Sequence, residues 1–149
     1  MDLNMQQPDE TDWKIIELVR GGTVSNSAIA EQLQISEGTV RQRIKRMKES
    51  GVLAFRGLID PDVLVNRQLT LIGASITESR LLDTKAREIS QLENVLSVSI
   101  TSGRFDLIIE VLVDSNHGLV DFLIRELSTI EGISKTESFL LLKTFSKFV

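Results

Sequence analysis

The chain has 149 residues, 17 Lys+Arg and 21 Asp+Glu, a formal charge of −4, and room for one large domain or two small ones. No apolar run approaches the ~18 residues that span a bilayer. Met1-Asp2-Leu3-Asn4 lacks a basic, apolar leader, so we expect a cytoplasmic protein without a membrane partner. There is no Cys and no Tyr, and His117 is the one histidine. That composition excludes thiolate nucleophiles, Cys-ligated metals and multi-His sites. Neither type of phosphate-cradling glycine loop occurs. We therefore expect no catalytic residue, no metal and no cofactor.

Charge is unevenly placed. Residues 1–36 hold two bases and six acids, residues 37–56 six bases and two acids, and residues 57–149 nine bases and thirteen acids. An acidic chain thus contains a short basic island. Nucleic-acid affinity follows local electrostatics, so the island is a candidate phosphate-binding surface.

In chain order, the first sixty residues read as three helices and a strand. Asp9 caps the first helix, whose opening turn carries Glu10 and Asp12, where carboxylates suit the positive helix end. Trp13, Ile16 and Val19, widened by Ile15 and Leu18, form its apolar stripe, and Gly21-Gly22 ends it. Ser25 or Asn26 caps a short second helix containing Ala28, Ile29, Ala30 and Leu33. After Gln34-Ile35, Ser36 caps a third helix that runs to about Ser50, with Gly51 as its stop.

On the third helix Val40, Ile44 and Met47 share the core face, while Thr39, Gln42, Lys45 and Arg46 lie opposite. A short helix, a tight turn and a second helix make a helix-turn-helix, whose second helix enters the major groove. Ser36, Thr39 and Gln42 stand at its reading end, and Gln suits an adenine edge. Arg41, Arg43, Lys45, Arg46 and Lys48 are cast as phosphate contacts that position without specifying. The expected partner is double-stranded DNA.

Asp60-Pro61-Asp62 breaks the chain, and residues 61–68 read as a linker between a domain at 1–60 and another at 69–149. Leu69–Thr77 is β-prone, residues 80–92 are helical, and Leu96, Val98 and Ile100 alternate as in a half-buried strand. Gly103-Arg104-Phe105-Asp106 is a turn, Leu107–Val113 a strand, Asn116 the cap of a helix containing Leu119, Phe122, Leu123 and Leu127, and Thr136–Phe145 the last strand. The order βαββαβ gives a ferredoxin-like sheet with both helices on one face. The fold class is α+β: an N-terminal, winged-helix-like helix-turn-helix domain and a C-terminal ferredoxin-like domain. The bare sheet face, with Leu140, Leu142 and Ile108 or their alternates, predicts a homodimer, with an oligomer of dimers as the larger assembly.

Asp9-Glu-Thr-Asp12-Trp-Lys-Ile-Ile16, Val24-Ser-Asn26, Ala28-Ile-Ala-Glu-Gln-Leu33, Ile35-Ser36, Val40-Arg-Gln-Arg-Ile-Lys-Arg46, Gly51-Val52 and Leu58-Ile-Asp-Pro61 resemble the Lrp/AsnC family, the feast/famine regulators. That family usually has Gly where Gln34 stands. If the turn needs a left-handed backbone, Gln costs about 1–2 kcal/mol relative to Gly. Ser102-Gly-Arg-Phe-Asp106 resembles the family's Thr-Gly-x-x-Asp element, and Thr136-Glu-Ser138 its Thr-x-Thr. The resemblance implies a transcription regulator with a small-molecule effector, often an amino acid, held where subunits meet. Gly103, Arg104, Asp106, Thr136 and Ser138 are its candidate residues, with Arg104 on the carboxylate and Asp106 on the ammonium. Two other readings are an enzyme subunit like the siroheme decarboxylases and an effector-only modulator without DNA binding. The acidic second domain opposes the first, and the basic helix opposes the second.

Overall fold

The computed structural model describes residues 7–149; the Met1–Asn4 start, read above for the absence of a leader, lies outside them. Two compact units result, Met1–Gly57 and Leu58–Val149.

The first unit consists of α1 (Glu10–Arg20), α2 (Asn26–Leu33) and α3 (Glu37–Glu49). Each begins at a side-chain cap. Asp9 accepts from the Asp12 N–H, Ser25 from Ala28 and Ser36 from Thr39. Such caps satisfy N–H groups that have no partner within the helix. Ile15, Ile16, Ile29, Ala30, Val40 and Met47 form the core, and Ile44 packs against it half-buried. Trp13, expected on the apolar stripe, is 54% exposed. The inward position in that turn is taken instead by Asp12, which is buried. Gln34, between α2 and α3, is left-handed, with φ 55° and ψ 41°.

The strand expected after α3 does not form: residues 53–60 are irregular. Gly51, at φ +74°, turns the chain back, and the Val52 and Leu53 N–H groups both donate to the Met47 carbonyl, at 2.9 and 3.0 Å. Val52 and Leu53 thereby pack on the helical core instead of joining a ladder.

The second unit holds one antiparallel sheet in the order β2-β3-β1-β4, with β1 Arg67–Ile76, β2 Val95–Ile100, β3 Leu107–Asp114 and β4 Ile133–Leu140. Residues 61–68 are not a free linker. Pro61–Val63 is a 3-10 turn with Pro61 buried, and β1 is already paired at Arg67, opposite Asp114. The hydrophobic runs mark where strands become buried, and backbone pairing extends two residues beyond that.

Ile72, Ala74 and Ile76 of β1 and Leu107, Ile109, Val111 and Val113 of β3 form the core with Ile89, Phe122 and Leu127. Thr70 adds to this layer a buried hydroxyl without a partner. Ile89 belongs to α4 (Leu82–Ser90), which is preceded by a 3-10 turn at Ser79–Leu81. In β2 a bulge falls between Val95 and Ser97, so Val95 and Val98 pack on the core while Leu96 is exposed.

The second helix departs from expectation in two ways. Asn116 does not cap it; its N–H donates to Asp114 Oδ1 at 2.8 Å, and His117 occupies the cap position with no side-chain bond. One α-helical turn, α5 (Gly118–Asp121), then passes into a π turn at Phe122–Glu126 and a 3-10 turn at Leu127–Thr129. Phe122 and Leu127 are both buried. In a regular α-helix residues five apart diverge by about 140°, whereas the wider turn presents both to the sheet.

β4 starts three residues before and ends five residues before the expected Thr136–Phe145. Gly132, at φ +92°, turns the chain into the strand, and Leu140 meets Thr70 near the start of β1. Beyond Leu141, whose N–H donates to the Leu69 carbonyl, the chain leaves the ladder. Leu140 therefore lies on the helix side of the sheet, opposite Thr70, and Leu142 lies outside β4. The face without helices carries Ile108 as expected, half-buried with Leu71 and Leu112, and on β4 the 42%-exposed Phe139 in place of Leu140. The C-terminal segment reaches this face: Lys147 Nζ sits 2.7 Å from Glu110 Oε1, and Ile59 and Val149 exchange backbone hydrogen bonds.

Candidate functional site

The basic helix α3 is held by its apolar side and by ions. Val40 and Met47 are buried, which turns Thr39, Gln42, Arg43, Lys45, Arg46 and Glu49 toward a shallow open hollow of about 450 Å³. Gln42 and Lys45 are exposed and Thr39 is half-buried. Ser36 acts as the cap: its Oγ accepts from the Thr39 N–H at 3.0 Å and lies 2.8 Å from Thr39 Oγ1. Both hydroxyls are thus fixed at the helix start, where a groove-reading helix presents its first side chains.

The five bases of α3 divide into two sets. Arg41 pairs with Glu37 at 2.6 Å, Lys45 lies 3.8 Å from Glu49, and the Lys48 ammonium sits 5.9 Å from the centre of the Phe55 ring. Both ion pairs are exposed one-turn pairs, so little free energy holds them. Arg43 and Arg46 differ. Arg43 Nη1 lies 2.6 Å from Asp9 Oδ2 and 2.9 Å from Asp12 Oδ1, and Arg46 Nη2 lies 2.5 Å from Asp12 Oδ2.

Asp9 and Asp12 also close a capping box, in which each carboxylate accepts the other residue's N–H. The hydrogen bond from Arg43, aided by the Asp12 N–H, holds the Asp9 carboxyl below the usual carboxylate range. Asp9 first, and then Asp12, push the Arg43 guanidinium up. Sequence reasoning placed Asp12 in the first turn and missed its contact with α3. The available signal was spacing: acids at 9 and 12 and arginines at 43 and 46 each lie one turn apart on their helices.

In the second unit the candidate effector residues separate. Arg104 Nη2 pairs with Glu137 Oε2 at 2.9 Å, and its guanidinium lies 5.3 Å from the centre of the Phe105 ring. Phe105 in turn lies over Gly73, where a Cβ would collide with its ring, and meets Phe139 edge-to-face at 6.3 Å. This cluster occupies the bare face. Thr136 and Ser138, opposite Ala74 and Ile72, belong to the helix side of β4. Asp106 is engaged by the sheet: its Oδ2 accepts from the Ile76 N–H at 2.8 Å, and its own N–H donates to the Ala74 carbonyl. Within one protomer the five residues do not line one cleft. Gly103 is exposed in the turn, and His117 is exposed before α5.

No helix among the described residues is long and apolar enough to cross a membrane. A family model described as winged helix-turn-helix DNA-binding matches residues 8–54, and one described as Lrp/AsnC ligand binding domain matches residues 70–148. An HTH-type transcriptional regulator of Pyrococcus furiosus is 32% identical over 135 residues, covering 89% of this chain and 90% of that protein. The HTH-type transcriptional regulator Ptr1 of Methanocaldococcus jannaschii is 28% identical over 139 residues, covering 92% of this chain and 93% of that one. Among solved structures, a transcriptional regulator of Neisseria meningitidis in complex with L-Met superposes with a TM-score of 0.67 at 20% identity, over 95% of this chain and 94% of that one. The matched domains, their order and the relatives agree with the two folds and the capped basic helix: the chain belongs to the Lrp/AsnC family of transcription regulators.

Proposed function

We propose that the protein is a sequence-specific regulator that binds double-stranded DNA as a homodimer and responds to a small carboxylate metabolite, an amino acid first among them. The observation that carries the DNA reading is α3: capped by Ser36, apolar toward its core, and presenting Thr39 and Gln42 beside Arg41, Lys45 and Lys48. Thr39 and Gln42 read base edges, and the three bases contact phosphates. Arg43 and Arg46 reach that surface with their charge already met by Asp9 and Asp12.

The effector reading rests on Arg104, exposed in the β2–β3 turn, and on the match to a ligand-binding domain. Arg104 exchanges the Glu137 carboxylate for that of the effector, with Gly103 leaving the approach open. Thr136 and Ser138, on the other side of β4, do not reach the ligand held by Arg104 of their own protomer and belong to the site only where subunits meet; Asp106 holds the turn while offering its second oxygen to an ammonium. The solved relative with L-Met supports this ligand class.

The deciding experiment selects bound duplexes from random DNA and then measures log affinity against log salt. Three phosphate contacts per protomer, doubled in a dimer, predict a slope of about −5. A slope near zero removes the DNA reading. Repeating the titration with the twenty amino acids and common keto acids tests the effector. If none shifts the affinity or gives heat in calorimetry, the second unit is a dimerisation module alone.

A further inference from the structure

Asp12 is the one buried ionisable residue among the described residues, with 1% of its surface exposed. Both of its oxygens are engaged, Oδ1 by Arg43 and Oδ2 by Arg46 and the Asp9 N–H. We propose that Asp12 is a positioning residue for DNA recognition: by holding the Arg43 and Arg46 guanidiniums toward α1, it withdraws their charges from the phosphates and leaves recognition to Thr39 and Gln42. This rests on α3 being the DNA-reading helix.

The competition between Asp12 and phosphate is decided by burial. A carboxylate shielded from water that loses its cations becomes an uncompensated buried charge, whereas a DNA phosphate left without an arginine keeps its water and counterions. The Asp12 pairs therefore persist when DNA arrives. Glu37 and Glu49, which face Arg41 and Lys45, are exposed, and phosphates replace them readily. Five bases on α3 thus act as three. A phosphate contact strengthens binding to every sequence alike, so withholding two of them lowers affinity for all DNA equally and leaves the Thr39 and Gln42 contacts as a larger share of what holds the protein there.

The test uses the full chain, a selected duplex and a scrambled one, with affinities measured across salt for the wild type and for Lys45→Gln, Arg46→Gln and Asp12→Asn. Lys45→Gln is expected to make the slope shallower by about one per protomer. Arg46→Gln keeps the wild-type slope, because the lost charge was not on a phosphate and Arg43 still holds Asp12. Asp12→Asn steepens the slope by about one per protomer, and the scrambled and selected duplexes gain affinity by the same factor. The proposal is overturned if Arg46→Gln loses as much slope as Lys45→Gln, or if folded Asp12→Asn keeps the wild-type slope. Should circular dichroism show Asp12→Asn unfolded, Arg46→Gln decides alone. Flat slopes for the wild type and Lys45→Gln together overturn the DNA-reading role of α3 itself, and this proposal with it.

Discussion

Gln34 holds a left-handed backbone at φ 55° in the turn between α2 and α3. The position needs that conformation because the Gln34 N–H donates to the Glu31 carbonyl and the Ile35 N–H to the Ala30 carbonyl, so the chain must reverse within one residue. A Cβ makes this costly, and glycine removes the cost at the expense of a more flexible unfolded chain. Gln34→Gly is expected to stabilise the first unit by about 1 kcal/mol and to raise its melting midpoint by roughly 4–8 °C. Calorimetry of the full chain measures it, and an unchanged or lower midpoint contradicts the strain. The residue was conspicuous in the sequence through the family's usual Gly. Asp12 was not, because a first-turn carboxylate is the common solvated feature of helix starts.

Helix α1 and helix α3 are joined by ions as well as by apolar contact. Arg43 holds the Asp9 carboxyl below its ordinary range, so the folded state binds the Asp9 proton more weakly than the unfolded chain does. The sign follows from linkage. The contribution is fully present above the unfolded value of about 3.9 and is lost as pH falls through the lower folded value. Denaturant titrations of the first unit from pH 7 downward are expected to show stability falling below about pH 4, with the fall reduced in Asp9→Asn. An identical acid profile for the two proteins contradicts the assignment. Elements of this unit were legible because each carries a cap, a period and a stop. The missing strand after α3 was not, since Val52 and Leu53 are as apolar as a strand needs and only the packing on Met47 shows where they go.

For the assembled protein, the bare sheet face is the feature that predicts a partner. Leu71, Ile108, Leu112 and Phe139 line it, and in the ladder Ile108 faces Gly73 on β1 and Ser99 on β2. A charge placed there is buried in a dimer and solvated in a monomer. Sedimentation at micromolar concentration is expected to show a wild-type dimer. Ile108→Glu should weaken it by at least about tenfold, or 1.4 kcal/mol, with its far-UV spectrum retained. A wild-type monomer removes the dimer, and an unaffected Ile108→Glu dimer places its interface elsewhere. Of the residues expected here, Ile108 lies on this face and Phe139, the alternate of Leu140, takes the place on β4; a strand's two faces exchange with a one-residue slip, and the start of β4 is set by Gly132, not by the apolar run.

Local chemistry was enough for the helix-turn-helix, the βαββαβ order and the basic island, because caps, periodicity and charge act over a few residues. It also gave Ser36 its role and separated Val40, Ile44 and Met47 from the polar side of α3. Pairing across the chain was beyond its reach. That Asp12 faces Arg43 and Arg46, that one oxygen of Asp106 accepts from the Ile76 N–H, and that Arg104 and Thr136 lie on opposite sides of β4 follow from contacts 30 or more residues apart. A carboxylate or an arginine has the same local signature whether it meets water, a ligand or another side chain, and its burial and partners are fixed only when distant segments pack together.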